Sequence, residues 1–198
     1  MVDSQQGGDY GVGAAGWVWR SPGWASPLLR RILDGMGFSE RHRDMYVGGR
    51  PGATARRANR TMARLAASGL TGWWLIRLDT VNPKSGTMIS LPLVTATVDG
   101  RRYVVSMLGN GARWVRNVLA ADGRVVIRAG RRRDVVLTVV DVNLRAPIIK
   151  NYLRRAPGGR PHIPVDKDAP LADFEVVAAE FPVFEIHQVA RRRTSPSR

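Results

Sequence analysis

Apolar and polar residues alternate in two different rhythms along this chain, and the change falls near residue 70. Before it, residues 53–70 are rich in helix formers, with Met62, Leu65 and Ala66 on one face, Arg57, Arg60 and Arg64 on the other, and Gly69 as the stop. After it, residues 73–81, 88–98 and 101–107 are dense in large and β-branched side chains and predict three strands. Asp99-Gly100 marks a tight hairpin between the second and third. A Gly109-Asn110-Gly111 break follows, then a helix over 112–121. Residues 125–129 and 134–142 predict a hairpin across Gly130-Arg131-Arg132, residues 146–155 and 171–180 two helices, and residues 181–187 a last strand. Hairpin-linked strands with inserted helices indicate an α+β chain built on a small antiparallel barrel, since a doubly wound parallel sheet needs a helix after every strand.

The first 55 residues have another texture, with many glycines, Trp17, Trp19 and Trp24, and two Ser-Pro steps. Ser26 and Pro27 suit the N-cap and first turn of a short amphipathic helix ending before Gly35. This N-terminal extension reads either as an arm packed on the domain or as a peripheral contact with an anionic membrane. The domain proper spans 56–190, and residues 191–198 form a basic tail expected to be disordered.

The 198 residues hold 31 Lys plus Arg against 16 Asp plus Glu, a net charge of +15, which favours anionic partners. The arginines are dispersed, and no recognition-helix or aromatic-basic pattern accompanies them, so a basic nucleic-acid-binding protein is the remote alternative and no nucleic-acid partner is expected. Cysteine is absent, which removes disulfides and thiolate metal sites and fits a cytoplasmic chain. No apolar run reaches the roughly 18 residues of a membrane span, and the first residues lack the pattern of a signal peptide. His42, His162 and His187 have no ligand spacing, so no metal is expected.

Two segments carry candidate chemistry. In the turn Asn82-Pro83-Lys84-Ser85-Gly86-Thr87, Gly86 frees the backbone to present N–H groups, Lys84 adds a charge, and Ser85 and Thr87 add hydroxyls. These residues suit a phosphate cradle, and equally an ordinary solvent-facing hairpin. In the second, the glycine loop opens a helix on which Arg113, Arg116 and Asn117 share one face, beside a stripe of Trp114, Val118 and Ala121. That face suits an anion or plain solvent.

Taken in order, Lys84-Ser85-Gly86, Leu91-Pro92-Leu93, the Asp-Gly hairpin, Gly109, Gly111, Trp114 and Asn117 resemble the motifs of the deazaflavin-dependent nitroreductase family. The resemblance spans about residues 57–188. Pro83 and Ile89 stand where the family has arginines. It implies a split β-barrel, as in FMN-binding split-barrel proteins, holding coenzyme F420, with FMN as the alternative cofactor. The implied activity is hydride transfer from the reduced deazaflavin to a small electron acceptor such as a quinone or nitroaromatic. It also implies cofactor-binding roles: Lys84, Ser85, Gly86 and Thr87 for the phosphate, Gly109 for the loop, Arg113 and Asn117 for the tail or ring edge, and Pro92, Met107 and Trp114 for the ring environment. Tyr152 and His162 are substrate-side candidates, and the protein supplies no catalytic triad. A cofactor-binding protein of this fold with little turnover, holding deazaflavin, flavin or haem, is the alternative. Relatives of this kind occur as monomers and homodimers.

Overall fold

The computed structural model describes residues 46–47, 50–51 and 53–189. The helix expected after Ser26, the early tryptophans and the basic tail lie outside the described residues. A two-residue pair, β1 (Tyr46–Val47) and β2 (Arg50–Pro51), precedes α1 (Ala53–Ser68). Then come β3 (Leu75–Val81), β4 (Met88–Val98), β5 (Arg101–Val105), α2 (Arg113–Ala120), β6 (Arg124–Ala129), β7 (Arg131–Val139), α3 (Arg145–Arg155), α4 (Leu171–Val177) and β8 (Val183–Gln188).

The six strands β3 to β8 close into an antiparallel barrel, as the alternating pattern and hairpin signals predict; their order is β3-β4-β5-β8-β7-β6. β3 and β4, β4 and β5, and β6 and β7 pair as hairpins. Closure comes from Arg77 opposite Arg128 between β3 and β6, and from β8 inserting between β5 and β7. Period-two alternation gives the barrel two apolar faces. Inside it, Ile76, Leu78, Val104, Ile127, Val135, Leu137 and Phe184 pack with Trp114, Val115 and Val118 of α2. Outside, Ala96, Tyr103, Val105 and Val183 pack against Ile149, Leu153 and Phe174 of α3 and α4. Helix α2 therefore plugs one end of the barrel, while α3 and α4 cover its flank.

Several boundaries differ from the expected ones. The first barrel strand begins at Leu75, not Trp73. The third ends at Val105, because the Ser106 hydroxyl and the Gly109 amide bond across the loop, to Gly109 O at 2.8 Å and Ser106 O at 3.1 Å. Arginines 131–133 lie in β7 rather than in a turn. On α1 the buried face is Ala63 and Ala66, whereas Leu65 is exposed. Small residues there let the helix approach closely: Gly130 N–H donates to Ala67 O at 3.2 Å.

Candidate functional site

The β3–β4 turn is held by its own asparagine. Asn82 Oδ1 accepts from Lys84 N–H and Asn82 O from Gly86 N–H, each at 2.9 Å, and Asn82 N–H donates to Thr87 O at 2.9 Å. Gly86 sits at φ +66°, where the left-handed conformation favours glycine. The Ser85 hydroxyl donates to Thr87 Oγ1 at 3.0 Å. Most amides of the expected cradle are therefore turned inward and satisfied. Lys84, Ser85 and Thr87 are exposed at the surface of the turn. The sequence held the signal for this: an Asx turn before proline closes such a loop on itself.

Helix α2 is seated beside that turn. Asn117 Nδ2 donates to Thr80 Oγ1 of β3 at 3.2 Å, two residues before Asn82. Asn117 is only 5% exposed and Trp114 7%, with the Trp114 and Phe184 ring centres 5.4 Å apart. This corrects the expected face of Asn117, which anchors the helix instead of standing with Arg113 and Arg116; Trp114, expected on the apolar stripe, fills the barrel core. Arg113 and Arg116 alone point to solvent, and neither they nor Lys84 form an ion pair among the described residues.

The loop after β5 borders an open cavity of about 420 Å³, lined by Met107, Leu108, Gly109, Asn110, His162, Glu180 and Phe181. Three expected residues, Met107, Gly109 and His162, meet here. Gly109 has φ +72°, and a Cβ there would lie 3.2 Å from Glu180 O, so the loop runs close against the segment entering β8. Tyr152 does not reach this cavity. It is buried in the outer core, its ring edge only 2.7 Å from where a Cβ of Gly159 would stand. Lys84, Ser85, Thr87, Pro92 and Arg113 do not line it either; Pro92 is half-buried in β4 opposite Arg77.

Sequence reasoning missed a charged network on β3. Asp79 is 5% exposed and accepts from Arg77 Nε at 2.6 Å, Ser90 Oγ at 2.6 Å and Arg128 Nε at 2.9 Å. Burial alone would raise its carboxyl; the Ser90 hydroxyl and the two arginines outweigh burial and hold it below the usual carboxylate range. The register that brings Arg128 opposite Arg77 is non-local, so spacing along the chain gave no sign of it. Among the described residues no group of three His, Asp or Glu side chains could hold a metal, and no helix is long and apolar enough to cross a membrane.

Solved structures similar to this chain include F420 reductases and flavin-binding proteins. An F420-H2 dependent reductase is 20% identical, with 58% of this chain and 94% of that one covered and a TM-score of 0.39. An FAD-binding protein from Mesorhizobium loti is 17% identical, covering 65% of this chain and 90% of that one, at a TM-score of 0.40. A protein of unknown function from Agrobacterium tumefaciens is 14% identical at a TM-score of 0.44; 68% of this chain is covered, but only 57% of that protein's length. No protein-family model matches the chain, and no curated protein matches it.

Proposed function

We propose that this chain is an F420-dependent oxidoreductase that passes a hydride to an electron-poor acceptor such as a quinone or nitroaromatic. The observation that carries the reading is the end of the barrel where β3 turns into β4. There the Lys84-Ser85-Gly86 turn stands on the same hairpin as Leu91-Pro92-Leu93, and the Asn117–Thr80 bond fixes α2 beside it. Lys84, Arg113 and Arg116 thus share one barrel end with no carboxylate partner among the described residues. Such a set suits the phosphate and acidic tail of the deazaflavin. FMN offers the same phosphate chemistry and is the alternative cofactor.

When bound, the deazaflavin supplies the hydride. The chain's own residues hold and orient. In this reading Lys84, with the Ser85 and Thr87 hydroxyls, grips the phosphate, and Arg113 and Arg116 attract the tail. Met107, Leu108 and Phe181 give the cavity an apolar wall against which the ring would lie. His162, in the same cavity, is the group placed to hold a proton for the acceptor. Trp114 and Asn117 act at one remove, by fixing the helix that carries the arginines.

A fluorescence titration with F420 beside FMN tests this. Lys84→Ala is expected to lose roughly 10- to 150-fold in F420 affinity, the scale of one charge-assisted hydrogen bond, about 1.5–3 kcal/mol. Equal affinity in the wild type and the variant would overturn the role of the turn. Absence of F420 and FMN binding at micromolar concentration would overturn the function.

A further inference from the structure

The outer wall of the barrel carries a charged arrangement that the proposed activity does not use. On β6, Val125 and Ile127 pack in the barrel interior, so Arg124, Val126 and Arg128 face outward by strand alternation. Arg77 and Asp79 of β3, and Arg132 and Asp134 of β7, face outward by the same rule, since Ile76, Leu78, Val135 and Leu137 are interior. The register then makes two cross-strand rows. Arg77, Arg128 and Arg132 stand opposite one another in the first, and Asp79, Val126 and Asp134 in the second.

Like charges directly opposite one another destabilise a sheet. Here carboxylates hold the arginines from the neighbouring row. Asp79 takes Arg77 Nε at 2.6 Å and Arg128 Nε at 2.9 Å, and Asp134 takes Arg132 Nη2 at 3.4 Å. Both carboxylates lie in the row of Val126, so Arg128 and Arg132 lean toward that valine from two strands. Their side chains are 38% and 60% exposed, within reach of a ligand. Arg124 stands two residues before Val126 on the same face, exposed and in no ion pair among the described residues. Val126 also lies in the wall of an open cavity of about 300 Å³, shared with Arg124, Asp134 and Val189. Four guanidinium groups thus meet two carboxylates on this face, an excess of two positive charges. The Glu185 carboxylate on β8 is engaged by Arg101 and His187 instead.

We propose that Arg124, Arg128 and Arg132 form a phosphate site around Val126 on the outer wall of the barrel. A phosphate near its doubly ionised state carries the charge this face lacks, and its oxygens accept from several guanidinium forks at once. A carboxylate, with one charge, would leave the excess half met. Val126 and Val189 offer the carbon body of a phosphate ester a small apolar seat. The phosphate is either free or esterified, and the two sources are separated by experiment.

An amide NMR titration of the full chain at fixed ionic strength tests this, with inorganic phosphate, glycerol phosphate and acetate as probes. Both phosphates are expected to shift the Val126 and Asp134 amides saturably, and acetate to bind at least tenfold more weakly. Arg124→Gln combined with Arg132→Gln, at two exposed positions, is expected to weaken phosphate binding at least tenfold. Arg132→Lys, which keeps the charge but not the fork, is expected to fall between, and Lys84→Ala to leave these shifts unchanged. Tighter binding of glycerol phosphate would assign an esterified phosphate, and tighter binding of inorganic phosphate a free one; either supports the site. Overturning results are no saturable shift at these amides, acetate binding as tight as phosphate, unchanged affinity in the double variant, or loss of the shifts on Lys84→Ala.

Discussion

Asp79 shows how much one residue can settle on a barrel wall. Its carboxylate is nearly out of water, yet three donors reach it, two of them cationic. Removing the charge leaves Arg77 and Arg128 facing each other from paired positions. Because both arginines keep part of their surface in water, the loss is smaller than for a fully buried pair, about 1–3 kcal/mol for Asp79→Asn at pH 7 in urea unfolding. The pH dependence has a definite sign. The folded carboxyl titrates below the ordinary value of 3.8, so its stabilisation is fully present above pH 3.8 and is lost as pH falls through the lower folded value. Wild type and Asp79→Asn are therefore expected to converge in stability in acid below that point. A constant difference down to pH 2 would mean that packing, not charge, sets the effect.

At the scale of elements, the seats of the two helices that touch the barrel ends depend on small residues and one amide. The stop of α1 presses on the β6–β7 turn: a Cβ on Gly69, at φ +82°, would stand 2.5 Å from the Gly130 Cα. Gly72, at φ +57°, has nothing within 4 Å of its would-be Cβ. Gly69→Ala is thus expected to cost about 2 kcal/mol or more and Gly72→Ala about 1 kcal/mol, since only the first adds a backbone clash to left-handed strain. Comparing their urea midpoints checks the helix–hairpin contact directly. The elements themselves were legible: alternation marked the strands, and Asp99-Gly100 takes the positive φ values that a tight hairpin demands. The faces of α2 were less so. Asn117 lies three residues after Trp114, so helical period alone places it on the inward stripe, and its polarity suggested the outward one. A buried amide satisfied by Thr80 depends on a partner 37 positions away, which periodicity does not report. The arginines of β7 read as turn residues for a similar reason, because a strand end that opens to solvent tolerates charge.

For the whole molecule, charge and closure dominate. A net charge of +15 on 198 residues makes self-repulsion a standing cost to the folded state. Raising salt from a few millimolar to about 0.15 M, where the screening length is ~8 Å, is expected to raise the melting temperature. A fall instead would mean that ion pairs such as Arg101–Glu185 outweigh the repulsion. The barrel order was not legible, because it rests on β8 entering between β5 and β7, and no local signal encodes a partner chosen at such distance. That insertion also sets a sequence of events for the growing chain. β3 to β7 emerge from the ribosome before residues 183–188 exist, so β5 and β7 must wait with bare backbone donors and acceptors on their unpaired sides. The six residues of β8 seal both at once, and until they arrive the nascent barrel is an open curl whose most adhesive rims lie on either side of a missing stave.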